Sequence, residues 1–202
     1  MSKAESFFIW LIIGPVIPVL LFLIFWWTSI GLVSDQSVFL VGLVGLGIGC
    51  FIDIFLLRQK ISEAYTWSPR ILAAIYIFYS VCVFGFFMGV PVFNIAVGIV
   101  AGIFMGRSFK HSGKSKEDFA KGSFRVSVFS AVIMGGICLA SAYFATKDIT
   151  DTALNLKGMF KLSFLPTGNM IIALIVFGGL GLIILEYWLT KRAVQWSNRI
   201  GT

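Results

Sequence analysis

Residues 38–57 read VFLVGLVGLGIGCFIDIFLL, an apolar run with a single charge, Asp53. The hydrocarbon core of a bilayer takes a helix of about 20 apolar residues. The run is therefore long enough to cross a membrane. At about 100° per residue, Gly42, Gly45 and Gly49 lie near 0°, 300° and 340°, and Asp53 near 20°. The carboxylate shares the small-residue face. In lipid such faces let helix backbones approach closely, so this face is expected to be buried against other helices, with Gly42, Gly45 and Gly49 as packing positions.

Runs of the same kind flank this one. Phe7 to Ile30, Ser123 to Ala145 and Gly168 to Leu189 each meet the length test. The first is too long for the apolar region of a secretory signal and lacks a small-residue cleavage pattern, so it is expected to be a retained span. Between Arg70 and Arg107 lies an uncharged stretch too long for one span, interrupted at Gly89-Val90-Pro91. Proline removes a backbone donor and disfavours helix in the residue before it. This predicts two short spans, Ile71 to Met88 and Val92 to Gly106, with a half-crossing re-entrant hairpin as the competing reading.

The composition agrees. Of 202 residues 58% are apolar and 12% are charged, against roughly 25% charged in soluble domains. The connections are short, so the fold class expected is all-α: a polytopic transmembrane bundle of six spans, with residues 1–202 forming one integral membrane domain. Lys and Arg are retained on the cytoplasmic side. With the N-terminus inside, the outer connections hold only Lys147, Lys157 and Lys161 of the 16 basic residues, so both termini are expected inside. The formal charge of +7 then belongs to inner loops facing anionic headgroups. The bilayer is the expected partner, together with a membrane protein in one reading below, and nucleic acid is not needed to explain the charge.

Several polar positions are candidates for chemistry. Intramembrane acids are expensive and commonly functional, which makes Asp53 a candidate for binding a cation or polar solute or carrying a proton, against a structural role paired with Arg58, Lys60 or a neighbouring helix. Ser127, Ser130, Ala131, Met134, Cys138 and Ser141 form one stripe of the fifth run. The stripe would line a polar cavity or, on the commoner reading, pack tightly with its hydroxyls bonded to their own backbone. Gly98, Gly102 and Gly106 repeat at small-x-x-x-small spacing, with Asn94 near the start of that run. Glu186, beside Tyr187 and Trp188 and shortly before Lys191 and Arg192, is expected as a solvated carboxylate at the inner interface, with a site residue as the competing reading. In the outer connection Ile149, Ala153, Leu156 and Phe160 recur on one helical face, which predicts a short amphipathic surface helix.

Cys50, Cys82 and Cys138 are scattered within apolar runs and form no C-x-x-C pair, and the one histidine, His111, lies in a basic loop. No P-loop, H-E-x-x-H, G-x-S-x-G or T-V-G-Y-G occurs. No catalytic residue, metal or cofactor is expected, and an enzyme is the less favoured class. The leading expectation is a small-solute transporter, or the membrane-embedded solute-binding part of one. Its site would draw on Asp53, Asn94, Ser127, Ser130 and Ser141, in a prokaryotic cytoplasmic membrane. The alternatives are a non-catalytic accessory or assembly subunit, whose glycine faces would serve partner helices, and a membrane enzyme acting on lipid.

Overall fold

A computed structural model describes residues 3–57, 61–113 and 115–199. The described chain is helical, with no β-strand among the described residues. Six helical stretches are long and apolar enough to cross a membrane: Glu5–Ser29, Asp35–Phe55, Pro69–Phe86, Pro91–His111, Lys116–Lys147 and Gly168–Arg199. The α-helices are α1 (Lys3–Ile13), α2 (Val16–Ser29), α3 (Asp35–Ile52), α4 (Pro69–Phe86), α5 (Ile95–His111), α6 (Lys116–Lys147), α7 (Ile149–Phe160), α8 (Gly168–Ala173) and α9 (Gly179–Arg199). The chain divides into two compact units, Met1–Ile75 and Tyr76–Thr202, the division falling within α4.

In the first unit the run expected as the first span, Phe7 to Ile30, is interrupted at Gly14–Pro15, between α1 and α2. Neither Pro15 nor Pro18 can donate a backbone hydrogen bond, so the helical ladder lapses there. Past the break, α2 and α3 pack as an antiparallel pair. A Cβ at Gly42 would strike the Phe22 ring, one at Gly45 the Leu21 carbonyl and Phe25, and one at Gly49 the backbone of Pro18. Backbone-to-backbone approach of this kind needs glycine. From Asp53 to Leu57 the helix widens to π geometry. The 3₁₀ helix Ile61–Thr66 packs on α1. Asp53 is buried, and Arg58 and Lys60, its expected ion-pair partners, lie outside the described residues.

In the second unit the chain reverses after α4 through Met88 and Gly89, both at positive φ (54° and 81°), and re-enters helix through the 3₁₀ turn Pro91–Asn94. The left-handed position at Gly89 costs glycine nothing. α9 is the central element and packs most extensively on α5 and α6. Its register on α5 is parallel: Gly98 faces Glu186 and Thr190, Gly102 faces Thr190 and Ala193, and Gly106 faces Val194 and Ser197. Ser197 Oγ closes this interface by donating to the Ile103 carbonyl at 2.7 Å. Against α6 the register is antiparallel, with Ser130 at Glu186 and Thr190, Gly135 at Ile183 and Cys138 at Gly179. α6 opens on a Ser115 cap that accepts from the Asp118 amide at 3.1 Å.

The segment between α6 and α8, expected as a short amphipathic helix, is helical, as α7. Asp148 caps its start by accepting from the Asp151 amide at 2.9 Å, and Thr152 Oγ1 ties it to α6 through the Ala145 carbonyl at 2.9 Å. Ala153 is buried, whereas Phe160 is exposed.

Candidate functional site

The interior of the second unit is polar where four helices meet. Along α9, Glu186, Thr190, Ala193, Val194 and Ser197 are all buried and recur at three- and four-residue spacing on one face. That face fits α5 because Gly98 has no side chain, and a Cβ there would overlap the Glu186 carboxylate. The expectation of a solvated Glu186 at the interface is therefore corrected, since its residue is 0% exposed. The basic pair Lys191–Arg192 drew it toward the boundary in sequence. The glycine face of α5 holds it inside instead.

The Glu186 carboxylate is surrounded by hydroxyls. Oε1 accepts from Tyr76 Oη at 3.0 Å and from Ser130 Oγ at 2.9 Å. Ser130 Oγ also lies 2.9 Å from Thr190 Oγ1. Oε2 is buried and accepts no hydrogen bond, and no lysine or arginine among the described residues pairs with the carboxylate. One turn along α4 from Tyr76, about 6 Å away along the axis, Ser80 Oγ is likewise buried and unpartnered. The Ser80 carbonyl accepts from Asn94 Nδ2 at 3.2 Å, and Asn94 Oδ1 is a third buried acceptor without a donor. A polar track thus runs through the unit from Thr190 by way of Ser130, Glu186, Tyr76 and Ser80 to Asn94.

Energetics single out Glu186. Taking a carboxylate out of water costs several kcal/mol even after relaxation. Hydrogen bonds to a charged group return about 1.5–3 kcal/mol each, and average nearer 0.6 kcal/mol between membrane helices. Two such bonds leave Oε2 as the place where a further donor, a proton or a cation gains most. A hydroxyl both donates and accepts and can rotate, so Tyr76, Ser130 and Thr190 can solvate the carboxyl group with or without its proton.

The residues singled out in sequence are distributed as follows. Ser130 and Asn94 belong to this track. Ser127 is buried one turn from Ser130 but donates to the Ser123 carbonyl at 2.9 Å, the backbone bonding that the commoner reading of the stripe describes. Ser141 is half-buried, about 16 Å along α6 from Ser130. Asp53 belongs to the first unit. Tyr76, Ser80, Glu186 and Thr190 were missed. The signal that could have found the last two is the spacing of Glu186, Thr190 and Ser197, a small polar face that matches the glycine spacing of α5.

Among the described residues no group of three His, Cys, Asp or Glu side chains could hold a metal ion. The three cysteines are free thiols. Comparisons of the chain with protein-family models, curated proteins and solved structures return no match.

Proposed function

We propose that this chain is a proton-linked carrier of small solutes, with Glu186 as the proton-exchanging carboxyl group. The observation that carries the reading is a carboxylate sealed between four helices, with one oxygen held by hydroxyls and the other by nothing. Intramembrane acids in such settings mark proton and substrate paths. The unpartnered acceptors Glu186 Oε2, Asn94 Oδ1 and Ser80 Oγ suit a solute that presents hydrogen-bond donors.

The same reading takes the chain as one membrane domain with both termini inside. The parallel register of α5 and α9 and the antiparallel register of α6 support three alternating crossings in the second unit. Arg125, Lys191 and Arg107 then lie on one side of the track, about 8, 8 and 14 Å along their helices from Ser130, Glu186 and Gly98. That side would be cytoplasmic and would face anionic headgroups. The accessory-subunit reading needs glycine faces free for partner helices, and those of α3 and α5 are filled by α2 and α9.

The test is reconstitution into liposomes loaded with a pH-reporting dye, with an imposed proton gradient and a panel of amines, amides and polyols added outside. Solute-dependent proton movement is expected for the native chain. It should fall at least tenfold in Glu186→Gln and persist in Ser127→Ala. Absence of movement with every solute, or equal movement in Glu186→Gln, refutes the proposal.

A further inference from the structure

The first unit holds a second buried acid that the polar track does not use. Asp53 is 4% exposed, and its Oδ1 is buried without a hydrogen-bond partner. The other side of the carboxylate takes the Trp10 indole N–H. Both groups crowd Gly14: Asp53 Oδ2 and Trp10 Nε1 each lie 3.2 Å from where a Cβ at Gly14 would stand, and the Trp10 carbonyl lies 2.7 Å from it. Asp53 therefore packs directly on the point where the first span breaks.

That break releases acceptors. In an unbroken helix the carbonyls of Leu11 and Gly14 would bond to the amides four residues on. Those positions are Pro15 and Pro18, which have no N–H. Asp53 itself opens a π-helical turn, a distortion that recurs at functional sites. Among the described residues, one carboxylate and one indole donor thus meet at a break that leaves backbone carbonyls without helical partners. Discontinuous membrane helices use unwound carbonyls and half-helix C-terminal ends to take up small cations, and intramembrane carboxylates mark ion paths. One carboxylate balances one positive charge, whereas a divalent ion would leave a net charge buried at a cost of several kcal/mol.

We propose that Asp53, together with the carbonyl groups freed at the Gly14–Pro18 break, forms a binding site for a small monovalent inorganic cation. The site is distinct from the Glu186 track and stands independently of the transport reading. A bound ion would tie α3 to both halves of the broken first span.

The experiment uses the full chain in detergent and follows its melting midpoint as Na⁺ replaces choline at constant ionic strength. A saturable rise on the order of 5 °C is expected at concentrations far above the dissociation constant. Asp53→Asn should abolish the rise, Glu186→Gln should keep it, and Trp10→Phe, which removes only the indole donor, should keep it with altered affinity. The native chain alone makes the test decisive if Asp53→Asn fails to fold. A midpoint indifferent to Na⁺, Li⁺ and K⁺ relative to choline overturns the site, as does a Na⁺ response that survives in Asp53→Asn or disappears only in Glu186→Gln.

Discussion

Replacing Gly98 by alanine is the sharpest probe of the interior of the second unit. The added Cβ would overlap Glu186 Oε1 and stand 2.8 Å from Thr190 Oγ1. Both oxygens are fully buried and tied to Ser130, so neither moves without giving up a hydrogen bond. Overpacking costs about 1–3 kcal/mol, and losing a hydrogen bond between membrane helices adds about 0.6 kcal/mol. Alanine gains up to about 1 kcal/mol over glycine in helix propensity, which leaves a net loss of about 2 kcal/mol. For a chain of this size that corresponds to a fall of roughly 4–8 °C in the melting midpoint, read by fluorescence in detergent. Gly136→Ala on α6, where a Cβ meets nothing within 4 Å, should be neutral or slightly stabilising. The cost at Gly98 should also shrink when Glu186 is already alanine, because the first colliding group is gone, giving a coupling of about 1 kcal/mol. A Gly98→Ala chain that melts with or above the native protein, or costs that simply add, refutes the placement of Glu186 against α5.

Two further expectations follow from the helix contacts and the charge pattern. Gly49→Ala should destabilise the first unit by 2 kcal/mol or more, since its Cβ meets the Pro18 backbone, which cannot rotate away as a side chain can. Gly47→Ala, facing open space, should not, and matched melting curves compare the two. Cysteines introduced at Ser34 and Thr150 should react with a membrane-impermeant reagent from outside intact cells, and one at His111 only after permeabilisation; external labelling at His111 would overturn the charge-based orientation.

The helical class was legible because lipid imposes it: apolar run length and the need to satisfy every backbone group leave few alternatives. Residues 38–57 carried more, since glycine spacing alone put Gly42, Gly45 and Gly49 on one face, which α2 covers, with Asp53 beyond them at Gly14. The break at Gly14–Pro15 was harder to read, because proline is tolerated inside membrane helices when neighbours re-satisfy the backbone. Pro15 is therefore ambiguous without its surroundings. Glu186 was misjudged for a related reason. Position along a helix sets depth, but depth does not say whether a face meets water or another helix. Its partners Tyr76 and Ser130 lie 110 and 56 residues away, and no local pattern links residues at such separations.

The parallel seam between α5 and α9 bears on the order in which the chain is made. α5 ends at His111 and α9 ends at Arg199, so the groove of Gly98, Gly102 and Gly106 emerges about 90 residues before the helix that fills it is complete. At about 5–20 residues per second of synthesis, the groove waits roughly 5–20 s without its native occupant. During that interval it is open to lipid tails, to the insertion machinery, or to the same groove on a neighbouring nascent chain. Slowing translation between codons 111 and 199 would lengthen this exposure, and misassembled dimers joined through α5 are the product it would favour.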